Sequence, residues 1–281
     1  MVGARSRFVD PSSPSAAACG RTAECPVSHA YDLQQNSEGK ERFGYGPSGQ
    51  IIEKQATPTQ IVGLRNITQV TCGANHALGL DMHGVIWAWG CFEQNQLGRH
   101  VPGRHAMNPL TPDRVNIRDI KHIACGDYHS LAVDKKDQVW AWGLNSFGEA
   151  GYAKLAGSDE VLLPFPMKIP GLRGKGVVCL AGGAHHSAAV TADGQCLVWG
   201  RMDGGQLGIA FSPEQLEDTD LIRYDERKQP RICLLPTRVP GIGVVKSCGL
   251  WHRPHHLHYP GRNGICDWLQ LTGTTGSRPR G

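Results

Sequence analysis

Residues 70–98 read VTCGANHALGLDMHGVIWAWGCFEQNQLG, and the chain repeats this pattern twice without a gap. The second copy, IACGDYHSLAVDKKDQVWAWGLNSFGEAG, spans 123–151, and the third, LAGGAHHSAAVTADGQCLVWGRMDGGQLG, spans 180–208. Four landmarks recur: a glycine, a histidine three residues on, a Trp-Gly pair and a closing glycine. They fall at Gly73, His76, Gly90 and Gly98, at Gly126, His129, Gly143 and Gly151, and at Gly183, His186, Gly200 and Gly208. The glycine steps are 17 and 8 residues in every copy, and only the connectors vary. A half-unit over 36–46, NSEGKERFG closing at Gly44, precedes them without its first strands. Pro-x-x-(Val/Ile) follows each unit, at Pro58 to Ile61, Pro112 to Val115, Pro166 to Ile169 and Pro236 to Val239. Self-similarity at a fixed period signals a repeat architecture.

One unit is readable on its own. Ala77-Leu78-Gly79-Leu80 and Val85 to Trp89 are short apolar runs separated by Asp81-Met82-His83-Gly84. The third unit places Ala192-Asp193-Gly194 at the same point. An x-Gly turn between apolar runs predicts a β-hairpin. The glycine of Trp-Gly suits a place where the chain turns, or packs too closely for a side chain. Units of 53 to 57 residues built from several short strands predict an all-β fold of propeller blades.

These residues resemble the regulator of chromosome condensation family. Its signature is a Gly-x-x-His strand, a hairpin, an aromatic-x-Trp-Gly strand, a closing Gly-x-Leu-Gly and a Pro-x-x-Val. Gln94 to Gly98 and Gly204 to Gly208 close two units in that manner. The match covers about residues 36–246, and it implies blades of a seven-bladed propeller. In detail the chain is most similar to fungal members that act as exchange factors for the small GTPase Ran. Three stretches carry that likeness: EGKERFGYGPSGQIIEKQATPTQIVGL (38–64), the third unit, and the acidic linker Ser212 to Arg231. The resemblance implies guanine-nucleotide exchange on Ran in the nucleus, with docking on chromatin through histones or DNA. The cytoplasm is a second location. Exchange needs no covalent catalysis, cofactor or metal. A propeller used only as an interaction scaffold, and an inactive fragment, are the alternatives.

Composition sets limits. The 281 residues are 40% hydrophobic and 19% charged, which is globular. Net charge is +4, but residues 247–281 alone contribute +3 and the body 36–246 only +1. Bulk charge therefore makes the body no phosphate-binding surface. No apolar run reaches the roughly 18 residues of a membrane span, and the first 30 residues lack the apolar core of a signal peptide. The ten cysteines show no Cys-x-x-Cys pair, so reduced, mostly buried thiols are expected.

Seven units of about 55 residues need about 385 residues, so an incomplete propeller of three to four blades is expected. Residues 1–35 match no unit and read as a disordered leader. After Val245 the pattern stops. Reading one base later forces glycine at codons 251 and 268, because Trp251 and Trp268 are each encoded by TGG and followed by His252 and Leu269. Those glycines are 17 apart, the repeat's own step, and suitable codons for 250–278 then read CGTDHIIYTTRDGMAYATGFNSQEQLGLG. Residues from about Lys246 on are expected to be translated out of frame. The tail 247–281 is then disordered, and the metal-like group His252, His255, His256, His258 and Cys266 is a by-product.

Site expectations follow from the resemblance. A histidine that recurs once per unit, as His76, His129 and His186 do, reads as structural, its ring hydrogen-bonded in the blade. In the Ran exchange factors the position matching His186 faces the GTPase. Asn75, Asp127 and His186 are the expected contacts on one propeller face, although the family often has an acid where Asn75 stands. Ser37, Glu38, Gly39 and Lys40 align with the β-wedge that presses on the GTPase near its phosphate loop; an ordinary charged loop is the plain alternative.

Overall fold

The computed structural model describes residues 61, 63–101, 111–158, 161–250 and 269–272. The leader, the half-unit and most of the tail, and with them Ser37 to Lys40 and the histidine-rich group, lie outside the described residues. Each complete unit is one antiparallel sheet. The first holds β1 (Ile67–Cys72), β2 (His76–Asp81), β3 (Ile86–Gly90) and β4 (Asp113–Arg114), in that spatial order. The second holds β5 (Ile120–Cys125), β6 (His129–Asp134), β7 (Val139–Leu144) and β8 (Leu162–Lys168). The third holds β9 (Val177–Gly182), β10 (His186–Thr191) and β11 (Cys196–Arg201), joined by strands from the acidic linker. In that linker Ser212 and Gln215 form a capping box that starts α1 (Pro213–Glu217). The chain then forms β12 (Ile222–Tyr224) and β13 (Pro230–Arg238), which give this blade a fifth strand. A fourth sheet begins with β14 (Ser247–Leu250) paired to β15 (Leu269–Thr272). The inner strands β1, β5, β9 and β14 pack one against the next, as propeller blades do.

The landmarks have physical reasons. Across each central hairpin the histidine pairs with the glycine of Trp-Gly: His76 with Gly90, His129 with Gly143 and His186 with Gly200. Those glycines have φ of 110°, 98° and 104°. A methyl group on Gly143 would lie 2.5 Å from the Tyr128 carbonyl, and one on Gly200 would lie 2.7 Å from that of His185. The glycine of Gly-x-x-His serves a different need: a methyl on Gly126 would sit 2.0 Å from the His129 ring. The absent side chain is the space the imidazole occupies.

In the first two blades the hairpin turn is held by an acid at the end of the second strand, and in the third Thr191 stands there. Asp81 Oδ1 accepts from the amides of His83 and Val85 while Oδ2 accepts from Trp87 Nε1. Asp134 repeats this with Lys136, Gln138 and Trp140. Pro-x-x-(Val/Ile) ends each blade: the amides of Val115, Ile169 and Val239 donate to Ile86, Val139 and Cys196, and all three side chains are buried.

Apolar packing lies between blades as well as within them. Leu78, Ile86 and Leu97 of the first blade share a core with Ile123, Ala132 and Trp142 of the second. Leu131, Val139 and Ala150 share another with Leu180, Ala189 and Trp199 of the third. One blade alone cannot bury its faces, so neighbours complete each other's core.

Candidate functional site

The connections β1–β2, β5–β6 and β9–β10 share one end of the blades with the closing loops that follow Trp-Gly. That end carries the three expected contacts that lie among the described residues. Asn75 is half-buried in the β1–β2 connection, its carbonyl accepting from Cys91. Asp127 is 7% exposed in the β5–β6 connection. Its backbone joins two blades: its amide donates to Gly183, and its carbonyl accepts from Ala74. His186, the first residue of β10, is 4% exposed. Its neighbour His185 offers the surface, with its side chain 25% exposed.

The rings of His76 and His129 reach across to the next blade, a partner that the repeat pattern does not specify. His76 Nε2 is 2.9 Å from Ser130 Oγ in the next blade, and His129 Nε2 is 2.7 Å from Ser187 Oγ in the one after. Each serine in turn donates back to a closing-loop carbonyl: Ser130 to Gln96 and Ser187 to Glu149, both at 2.8 Å. The buried tryptophans donate to the same two carbonyls, Trp142 to Gln96 at 2.8 Å and Trp199 to Glu149 at 2.9 Å. Every interface among the three blades is thus closed by an imidazole, a hydroxyl, an indole and one carbonyl. Buried networks of this kind are rigid because each member is satisfied by another.

On this rigid base the second and third blades carry a further group, centred on Glu149 and Phe147. The Glu149 side chain is fully buried; Oε2 accepts from the Phe147 amide at 2.7 Å and Oε1 lies 3.4 Å from His185 Nδ1. The His185 ring packs on Phe147, centroids 4.8 Å apart, and faces Tyr128 at 6.0 Å. Two guanidinium groups lie near the Phe147 ring centroid, Arg201 at 4.8 Å and Arg231 at 4.9 Å. Cations are drawn to an aromatic face by its quadrupole. Arg201 Nε also bonds Asp203 at 2.7 Å. Burial pushes the Asp203 carboxyl up, but the Arg201 hydrogen bond and charge outweigh it and hold the group below the ordinary aspartate range.

One signal for this cluster was present in the sequence. Gln96 and Gln206 fold their side-chain oxygens onto the amides of Gln94 and Gly204. Glu149 occupies their place, so the second unit carries an acid where the other two carry an amide. Arg231 gave no such signal, because β13 brings it in from the linker.

This end presents an imidazole at His185, an aromatic ring at Tyr128 and two guanidinium groups, with Asp127 buried among its connections. Among the described residues no group of three or more His, Cys, Asp or Glu side chains is placed to hold a metal ion.

Comparison with known proteins points the same way. The RCC1-like domain model matches residues 9–254. Protein pim1 of Schizosaccharomyces pombe is 34% identical over 212 residues, covering 75% of this chain and 38% of pim1. Guanine nucleotide exchange factor SRM1 of Saccharomyces cerevisiae is 32% identical over 219 residues, covering 76% of this chain and 43% of SRM1. Among solved structures, Prp20p of Saccharomyces cerevisiae superposes with a TM-score of 0.65 at 30% identity, over 74% of this chain and 48% of Prp20p; that structure was described with its binding to Gsp1p and histones. The chain thus spans less than half the length of these relatives. The inter-blade locks, the register common to the three blades and these matches lead to one assignment: the chain belongs to the RCC1-like domain family.

Proposed function

We propose that this chain supplies part of a guanine-nucleotide exchange factor for a Ran-type small GTPase, acting in the nucleus on chromatin. The likeness to SRM1 over three-quarters of the chain carries the reading. The Asp127–His185 face supports it, because it offers polar and aromatic groups at fixed positions.

An exchange factor works by linkage. Whatever free energy it gains by binding the nucleotide-free GTPase better than the loaded form must reappear as weakened nucleotide binding. On this chain Asn75, Asp127 and His185 are the proposed contacts, with His186 holding the β10 end behind His185. Ser37, Glu38, Gly39 and Lys40 are the proposed wedge against the phosphate loop. Nucleotide leaves, free GTP refills the site by mass action, and the propeller dissociates. Neither a cofactor nor a membrane enters this scheme.

The test is release of fluorescent GDP from purified Ran, with and without the chain. Acceleration that falls in Asp127→Ala and His185→Ala is expected. Binding of Ran without any acceleration would make the chain an interaction scaffold and overturn the reading. Co-sedimentation with nucleosomes separately tests chromatin docking.

A further inference from the structure

The inner strands hold a second piece of chemistry, away from the Asp127–His185 face. Cys179 on β9 and Cys248 on β14 are both free and half-buried. Their sulfurs lie 3.6 Å apart, with the Cys248 thiol directed at Cys179. The two strands belong to successive blades, so a bond between these sulfurs would join the third blade to the fourth. His122 of β5, on the other side, sits against Cys179. Cys196 of β11 is the remaining titratable neighbour. A disulfide has a sulfur separation of roughly 2.05 Å, so the pair needs to close by about 1.5 Å.

The group differs from the other cysteines. Burial pushes the thiols of Cys72 and Cys196 up to about 12, and that of Cys233 upward as well. Cys179 moves the other way. The hydrogen bond from Cys248 pulls it down most, its own burial opposes this, and His122 adds to the lowering. Cys248 is pushed well up, first by its hydrogen bond to Cys179 and then by burial. One proton is easily lost from such a pair and the second is held. The thiolate is the reactive form of cysteine, so the sulfur held lower, Cys179, is the attacking one.

We infer that in the chain as written, where the written frame at codon 248 is the one translated, Cys179 and Cys248 form a peroxide-sensitive dithiol whose oxidation staples two neighbouring blades. The Cys179 thiolate attacks one oxygen of hydrogen peroxide; the O–O bond breaks, hydroxide leaves and Cys179 becomes a sulfenic acid. The Cys248 thiol then attacks that sulfur, and the hydroxyl leaves with the thiol proton as water. Two electrons pass from the sulfurs to the peroxide, and a thiol reductant reverses the change.

Iodoacetamide labelling of the purified wild-type chain at neutral pH, followed by peptide mass mapping, is the first test. Cys179 is expected to label at least about tenfold faster than Cys196 and Cys233, and to stay fast below the usual thiol range. Equimolar hydrogen peroxide is then expected to yield one linked peptide pair, Cys179 with Cys248, that dithiothreitol separates. In Cys248→Ser a dimedone-trapped sulfenic acid should accumulate on Cys179; in Cys179→Ser neither product should form. His122→Asn should slow labelling of Cys179 while leaving Cys196 unchanged. Labelling of Cys179 no faster than Cys196, or peroxide linkage of other pairs, would overturn the inference. The wild-type labelling pattern decides even where a serine variant does not fold.

Discussion

The interface between the first and second blades and that between the second and third are built from the same parts. In one, Ser130 and Trp142 donate to the Gln96 carbonyl; in the other, Ser187 and Trp199 donate to that of Glu149. The backbone acceptor is identical, yet the side chain above it differs. Gln96 turns a neutral amide onto its own loop, whereas Glu149 turns a carboxylate onto the loop and toward His185. Because the lock uses a main-chain oxygen, the side chain at that place is free to vary. The repeats keep their mechanical joint and change what stands on it, which is how one fold carries grafted sites.

The comparison can be broken at its strongest point first. Trp142 and Trp199 are both fully buried. Trp142→Ala and Trp199→Ala should each cost about 3–5 kcal/mol, read by chemical denaturation. Similar losses would show that the two interfaces are equivalent in strength; a loss below about 1 kcal/mol at either would break the equivalence. Ser130→Ala and Ser187→Ala each strand a buried imidazole nitrogen and should cost about 1–3 kcal/mol by the same measurement. Glu149→Gln gives the second interface the chemistry of the first. It keeps an acceptor for the Phe147 amide and loses only the pairing with His185, so stability should change by less than about 1 kcal/mol. A larger loss would mean that the carboxylate is part of the joint after all.

The smallest expected effect concerns acid. The Asp203 carboxyl is held below the ordinary aspartate range in the folded chain, through Arg201. A carboxyl lowered on folding stabilises above its unfolded value, and that contribution disappears as pH falls through the folded one. The wild type should therefore lose slightly more stability than Asp203→Asn as pH drops from about 4 toward 3, measured by thermal melts across that range.

Much of the fold was legible because glycine spacing is covalent arithmetic. A glycine under each imidazole and a glycine opposite each histidine are steric necessities, and they recur at steps that survive any connector length. The histidines' partners were not legible. His129 precedes Ser130 in every reading of its own unit, but the hydroxyl it bonds is Ser187, 58 residues on. Periodicity states that a residue recurs; it does not state whether its neighbour lies in the same repeat or the next. The Phe147 cluster was hidden for a similar reason, since it draws on a closing loop, β11 and a linker strand.

The coding frame is where structure and sequence sharpen each other. β1, β5 and β9 end at Cys72, Cys125 and Gly182, each one residue before the glycine of its unit. The shifted reading requires its glycine at codon 251, next to the described part of β14 (Ser247–Leu250). Sequencing the transcript across the codons for Val244 to Gly281 is expected to show that frame open into further repeats. Stops in it would refute the shift and leave the written tail as translated.

The joints also say what the unit of inheritance is. Each blade lends an imidazole and a carbonyl forward and receives them from behind, and the first blade carries Ala77 where the others carry Ser130 and Ser187. A substitution at a histidine is therefore answered one repeat downstream, 54 or 58 residues away, and not within its own blade. A blade copied or deleted whole would leave each imidazole facing the serine of whichever blade then follows, because both interfaces use the same parts. What such a chain can duplicate or lose with its joints intact is one full period, and a cut inside a blade divides the partners of two joints.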